Sequence, residues 1–95
     1  MDNLSDEMID AGLFRAELTF RQLAHFVAAA EEGTISGAAR RLQFSASAIA
    51  AAITELERVL GAELCIRRRA QGITLTSTGS LVLPRARRLL SEVAE

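Results

Sequence analysis

The segment Phe44–Leu60, F-S-A-S-A-I-A-A-A-I-T-E-L-E-R-V-L, restricts the fold of this chain more than any other. Ser45 offers an N-cap hydroxyl that can accept from the amides of a first turn, and Gly61 supplies the left-handed residue that ends a helix. Between them Ile49, Ile53, Leu56 and Leu60 recur at i, i+4, i+7 and i+11, one apolar stripe at helical period. The opposite face carries Ser47, Ala51, Thr54 and Arg58, with Ala50 beside it. Such a helix must lay its stripe on a core built by the rest of the chain. It turns outward a face almost without long polar side chains.

The neighbouring segments are short and helical too. Thr19-Phe-Arg-Gln22 has the spacing of a capping box. Phe20, Leu23, Phe26, Val27 and Ala30 then share a face as far as Gly33. Ser36 can cap a second, short helix through Ala38, Ala39 and Leu42, with Arg40 and Arg41 toward water. A brief Gln43-Phe44 turn leads into the Ser45 helix, and two short helices joined this way fit a helix-turn-helix. Downstream, Glu63–Arg67 and Gly72–Leu75 flank R-R-A-Q-G and read as a hairpin. Thr76 caps a last helix that contains Pro84, which predicts a kink or a weakened turn near Ser80 to Pro84.

The predicted fold is therefore mainly α, a winged helix-turn-helix with a three-helix core, a two-stranded β wing and a long C-terminal helix. Ninety-five residues suffice for one modest core, and about half are apolar, with much alanine and no Trp or Tyr. That composition favours closely packed short helices over a β-sandwich. Residues 1–18 form an acidic leader, either poorly ordered or a short helix, since Ser5 precedes Asp6 and Glu7 and only Met8, Ile9, Leu13 and Phe14 make a weak apolar patch. The DNA-reading unit is expected over 19–76 and a linker or dimerisation helix over 77–95.

Net charge is −1, a value that hides two unlike parts. Residues 1–18 carry five acids and one arginine, net −4, whereas residues 19–95 carry ten arginines and seven acids, net +3. Every basic residue is Arg, which suits bidentate contacts to phosphate and guanine. One cysteine, Cys65, excludes an internal disulfide and a zinc cluster and suits a reducing cytoplasm. No stretch approaches the length needed to span a bilayer, and the acidic start does not read as a secretory signal.

From Leu18 to about Val93 the chain resembles the DNA-binding domain of LysR-type transcriptional regulators. The resemblance lies in Phe20 to Leu42 (F-R-Q-L-A-H-F-V-A-A-A-E-E-G-T-I-S-G-A-A-R-R-L), Ile53 to Leu64 (I-T-E-L-E-R-V-L-G-A-E-L), and L-T-S-T-G followed by L-P-R-A-R-R-L-L. It implies a homodimer joined through the C-terminal helix, a near-palindromic double-stranded operator, and control by a small molecule through an effector domain absent from this chain. Family members usually have Gln-Pro after the capping Ser and a Ser-Arg-Gln run beyond. This chain has Ala46 and Ser47, then Ala50, Ala51 and Ala52, so the long side chains that commonly reach bases are missing at Ala46 and Ala51. The wing, usually Leu-Phe-Glu-Arg, reads Leu64-Cys65-Ile66-Arg67 and keeps its arginine.

These features place Ser47, Ala50, Ala51 and Thr54 against a major groove, with Ala46 and Arg58 at the ends of the same face. Arg67, Arg68 and Arg69 on the wing are expected at flanking phosphates or the minor groove, and the helix starts at Ser36 and Ser45 near phosphates. Val82, Leu83, Ala86, Leu89, Leu90 and Val93 form the expected dimerisation stripe, with packing of some of them on the first helix of the domain as the alternative, and Arg85, Arg87 and Arg88 are expected to be solvated or near DNA backbone. No cofactor, metal site or catalytic group is expected. His25 stands alone and reads as a partly exposed helix residue, and Cys65 as a small core residue, with a redox-sensing thiolate beside Arg67 as the alternative. Two other functions fit the stripped face: a dimerisation or protein-interaction module, or a binder that grips the DNA backbone with little sequence choice.

Overall fold

Helix boundaries follow the caps. The computed structural model describes residues 4–15, 17–68 and 72–94, and its elements are α1 (Leu4–Phe14), α2 (Phe20–Glu32), α3 (Ile35–Leu42), α4 (Ala46–Leu60), β1 (Cys65–Arg68), β2 (Gly72–Leu75) and α5 (Ser77–Ala94). At the start of α2 the Thr19 hydroxyl accepts from the Gln22 amide at 3.1 Å, and the Gln22 side chain accepts from the Thr19 amide at 3.0 Å. Gly33 and Gly61 end α2 and α4 in the left-handed region, and Ser45 caps α4 by accepting from the Ala48 amide at 3.1 Å.

Ser36 does not cap α3. The cap is Thr34, whose hydroxyl accepts from the Gly37 amide at 2.9 Å, while Ser36 sits exposed within the first turn. Gly33 closes α2 so tightly that the next residue, Thr34, is already extended and free to cap. The α3–α4 turn then passes through Gln43, a non-glycine residue in the left-handed region at φ 60°.

The apolar stripes converge around α2, which packs on α3, α4 and α5. Phe26, Leu23, Ile49, Ile53, Leu56, Leu64 and Val82 are fully enclosed. Burial of each such side chain contributes roughly 1.5–3 kcal/mol. The leader joins this core: α1 packs on α5 and α4, with Ile9 fully buried and Leu18 nearly so. Arg85 of α5 lies 2.8 Å from the Asp6 carboxylate and 3.6 Å from Asp10, so the acids of the leader meet an arginine the sequence left in solvent.

The wing is a two-stranded antiparallel sheet with Cys65 opposite Leu75, Arg67 opposite Ile73 and Arg68 opposite Gly72. Polar contacts hold it at both ends. The Glu57 carboxylate of α4 accepts from the Leu64 amide at 2.8 Å and the Cys65 amide at 3.3 Å. The Ile73 amide donates to the Gly33 carbonyl at 3.0 Å, fastening β2 to the α2–α3 turn. Thr76 donates its amide to Leu64 O at 3.0 Å and its hydroxyl to Glu63 O at 2.7 Å, and that hydroxyl accepts from the Gly79 amide, capping α5. Gly79 is required here because a Cβ on it would lie 1.9 Å from the Leu64 carbonyl oxygen. Helix α5 continues through Pro84 without interruption. The ring removes the amide that would pair with the Ser80 carbonyl, and both residues are exposed, so water can take that acceptor.

Candidate nucleic-acid interface

Burying Ile49, Ile53, Leu56 and Leu60 forces the opposite face of α4 outward. Ala46, Ser47, Ala51, Thr54 and Arg58 are exposed and Ala50 is half-buried. The Ser45 and Ser47 hydroxyls are 3.2 Å apart, leaving Ser47 poised over the helix start. Arg58 is engaged by Glu55 one turn back, and the hydrogen bond from that guanidinium holds the exposed Glu55 carboxyl below its ordinary range. Methyl groups dominate the middle of the face.

The wing arginines separate. Side chains alternate along a strand, so Arg67 lies on the same side of β1 as buried Cys65 and faces the domain. Its Nη2 donates to Thr54 Oγ1 at 3.1 Å and to the Ala50 carbonyl at 3.4 Å, with Glu57 4.0 Å away. The sequence groups Arg67 with Arg68 and Arg69 at a hairpin tip. In the structure Arg67 lies instead against α4, because the strand register turns it inward. Arg68 is exposed, and Arg69 falls outside the described residues.

Between the wing and the start of α3 opens a cleft of about 650 Å³, lined by Thr34, Ile35, Ser36, Arg40, Arg67, Arg68, Gly72 and Ile73. Its lining holds three arginines and no acid, and it receives the positive end of the α3 dipole. This is the chemistry of an anion site. Ser36, expected as a cap, lines this cleft as a first-turn side chain. Arg40, assigned to solvent by the sequence, belongs to the cleft, and the signal for it was its i+4 spacing from Ser36.

Cys65 is buried in the core, as the sequence reads it, whereas three other residues, His25, Val82 and Ala86, lie away from their expected places. His25 is buried, with its ring edge-on to Phe44 at 4.6 Å between centroids, and the Arg21 guanidinium lies 5.6 Å over the same phenyl ring. Burial, and then the charge of Arg21, lowers the His25 pKa below the ordinary 6.5. Burial pushes the Cys65 thiol up, with Glu57 adding to the shift against the opposing pull of Arg67, so the thiolate expected of a redox sensor is disfavoured. Val82 and Ala86 of the expected dimerisation stripe are fully enclosed in this chain's own core and cannot touch a second copy. Leu83, Leu89 and Leu90 are half-buried, and Val93 is 56% exposed. Leu81, absent from the expected stripe, is 50% exposed. Arg87 pairs with Glu31 at 2.8 Å, and Arg41 meets the same carboxylate at 2.9 Å.

Among the described residues no group of three or more His, Cys, Asp or Glu side chains could hold a metal, and no helix is long and apolar enough to cross a membrane. The arrangement is a convex helix face beside a basic cleft. Residues 20–80 match the family described as "Bacterial regulatory helix-turn-helix protein, lysR family". The chain is 48% identical over 73 residues to the HTH-type transcriptional regulator TfdS of Cupriavidus pinatubonensis and to ClcR of Pseudomonas putida, covering 77% of this chain and 24% of each relative. It thus spans about a quarter of the length of these curated relatives. Among solved structures it is similar to the CbnR DNA-binding domain in complex with DNA, at 40% identity and a TM-score of 0.77, over 81% of this chain and 87% of that one. The BenM DNA-binding domain on benA site 1 DNA gives 31% identity and a TM-score of 0.75, over 81% and 88%. With its helix order, its wing and its sequence all in agreement, the chain belongs to the lysR family of bacterial regulatory helix-turn-helix proteins.

Proposed function

We propose that this chain binds double-stranded DNA selectively, as the DNA-reading part of a bacterial transcriptional regulator. The observation that carries the reading is the exposed α4 face, Ala46 to Arg58, set beside the acid-free cleft of Arg40, Arg67 and Arg68. A convex helix of this kind fits a major groove, and the cleft fits the phosphates that flank it. The likeness to domains solved on DNA supports the same docking. Two copies address the two halves of a near-palindromic site, joined through the exposed part of α5, where Leu81, Leu89, Leu90 and Val93 offer apolar surface. Response to a small molecule belongs to segments of the longer relatives that this chain does not span, and the cytoplasm is where such a regulator meets its operator.

Fluorescence anisotropy of the chain against duplex from its own upstream intergenic region, and against a scrambled duplex, tests this at several salt concentrations. Selective binding that persists as salt rises is the expected result. Equal binding to both duplexes, falling steeply with salt, would identify a backbone binder. The bare α4 face specifically favours a second reading, an interaction module that has lost base reading. That reading predicts no binding at low salt, and new binding after Ala46→Gln with Ala51→Arg.

A further inference from the structure

The geometry points to Arg67 as the base-reading side chain of this interface, delivered across the recognition helix from the wing. The inference rests on the proposed DNA binding and assigns its selectivity to one residue. The outward positions Ala46, Ser47, Ala50, Ala51 and Thr54 of α4 offer nothing longer than threonine, and a hydroxyl or methyl cannot form the paired contacts by which guanine or adenine is best told apart. A guanidinium nevertheless lies on that face, because Arg67 reaches Thr54 Oγ1 and the Ala50 carbonyl.

That guanidinium is held from several directions. Strand pairing with Ile73 fixes the Arg67 backbone, and Thr54 and Ala50 take hydrogens of Nη2. Glu57 sits 4.0 Å behind it, itself held by the Leu64 and Cys65 amides. Nη2 belongs to both planar forks of a guanidinium, so a paired contact to a base edge uses one Nη2 hydrogen, released from the longer bond to Ala50, together with Nη1 or Nε. A fork pre-positioned this way loses little freedom on binding, unlike a free arginine on a helix surface. The preferred partner is guanine, whose O6 and N7 match the fork in the major groove. Arg68, exposed on the opposite side of β1, is left to phosphate.

The test selects duplexes from a randomised double-stranded DNA library with the 95-residue chain. Base-substituted versions of the selected duplex are then titrated against wild type, Arg67→Ala, Arg67→Lys and Arg68→Ala. Wild type is expected to require guanine at one or two adjacent positions. Arg67→Ala should erase about tenfold to a hundredfold of preference at those positions alone, over and above the uniform loss that its missing charge in the cleft produces on a scrambled duplex. Arg67→Lys keeps charge and stem but lacks the fork, so it should lose the same positional preference even if the alanine variant folds poorly. Arg68→Ala should weaken every duplex by a similar factor. A loss with Arg67→Ala that is the same at every position and on the scrambled duplex, or an unchanged preference with Arg67→Lys, overturns the assignment. Wild-type binding without base preference overturns it too while DNA binding stands. Absence of any binding removes the underlying reading as well.

Discussion

At His25 and Gln43 single side chains carry measurable consequences. His25 is buried beside Phe44 and near Arg21, and both burial and the neighbouring charge favour its neutral form. With the folded pKa lowered from 6.5, the unfolded chain takes up this proton first as pH falls. The contribution of His25 to stability is complete above pH 6.5 and is lost as pH falls through the lowered value. Urea midpoints should therefore decline on acidification from about pH 7 to pH 5.5, and His25→Leu should flatten that slope. An identical slope in the variant would reject the assignment. Gln43 holds a left-handed backbone that costs an L-residue about 1–2 kcal/mol, and its side chain is exposed. Gln43→Gly should raise stability by roughly 0.5–1 kcal/mol after the larger unfolded entropy of glycine is counted, read as a higher urea midpoint. A lower midpoint would show that the glutamine is more than a turn residue.

Among the elements, α5 depends most on one small residue. Its first turn lies against the carbonyl of Leu64, at the joint where α4 passes into the wing. Gly79→Ala should cost about 3 kcal/mol or more, because the clash is with backbone and cannot be relieved by a rotamer change. Thermal unfolding followed by circular dichroism, with exposed Ser80→Ala as the control, checks this; a Tm within a degree or two of wild type would sink it. Gly79 shows where sequence was legible and where it was not. Caps at Thr19, Ser45 and Thr76 and stops at Gly33 and Gly61 are local chemistry, readable within four residues. Two hydroxyls two residues apart defeated that reading at α3, where Thr34 takes the role expected of Ser36. The final position of Arg67 depends on strand register, and the burial of His25 on Phe44, nineteen residues along the chain; neither partner is marked in the local pattern. The stripe on α5 identified an apolar face but not its cover, which for Val82 and Ala86 is the chain's own core.

For the molecule as a whole, α1 is the addition that lies outside the family match, which begins at residue 20. It contributes buried Ile9 and sets Asp6 and Asp10 against Arg85, on the side of the fold formed by α4 and α5. Removing residues 1–17 should lower stability by about 2–4 kcal/mol, chiefly through the lost burial. DNA affinity should change by less than threefold at temperatures where both forms are folded, since the cleft lies on α3 and the wing. Unchanged stability would show α1 to be an ornament; a large loss of affinity would place it in the interface. The uninterrupted passage of α5 through Pro84 bears on this larger scale. The missing rung between Ser80 and Pro84 lies inside the stretch that Val82 and Ala86 anchor in the core, and beyond Ala86 the helix runs on to exposed Val93. In the proposed dimer the outer half of α5 is thus a spring leaf clamped at one end. Its compliance lets the two reading heads tolerate small differences in the distance between the sequences they read.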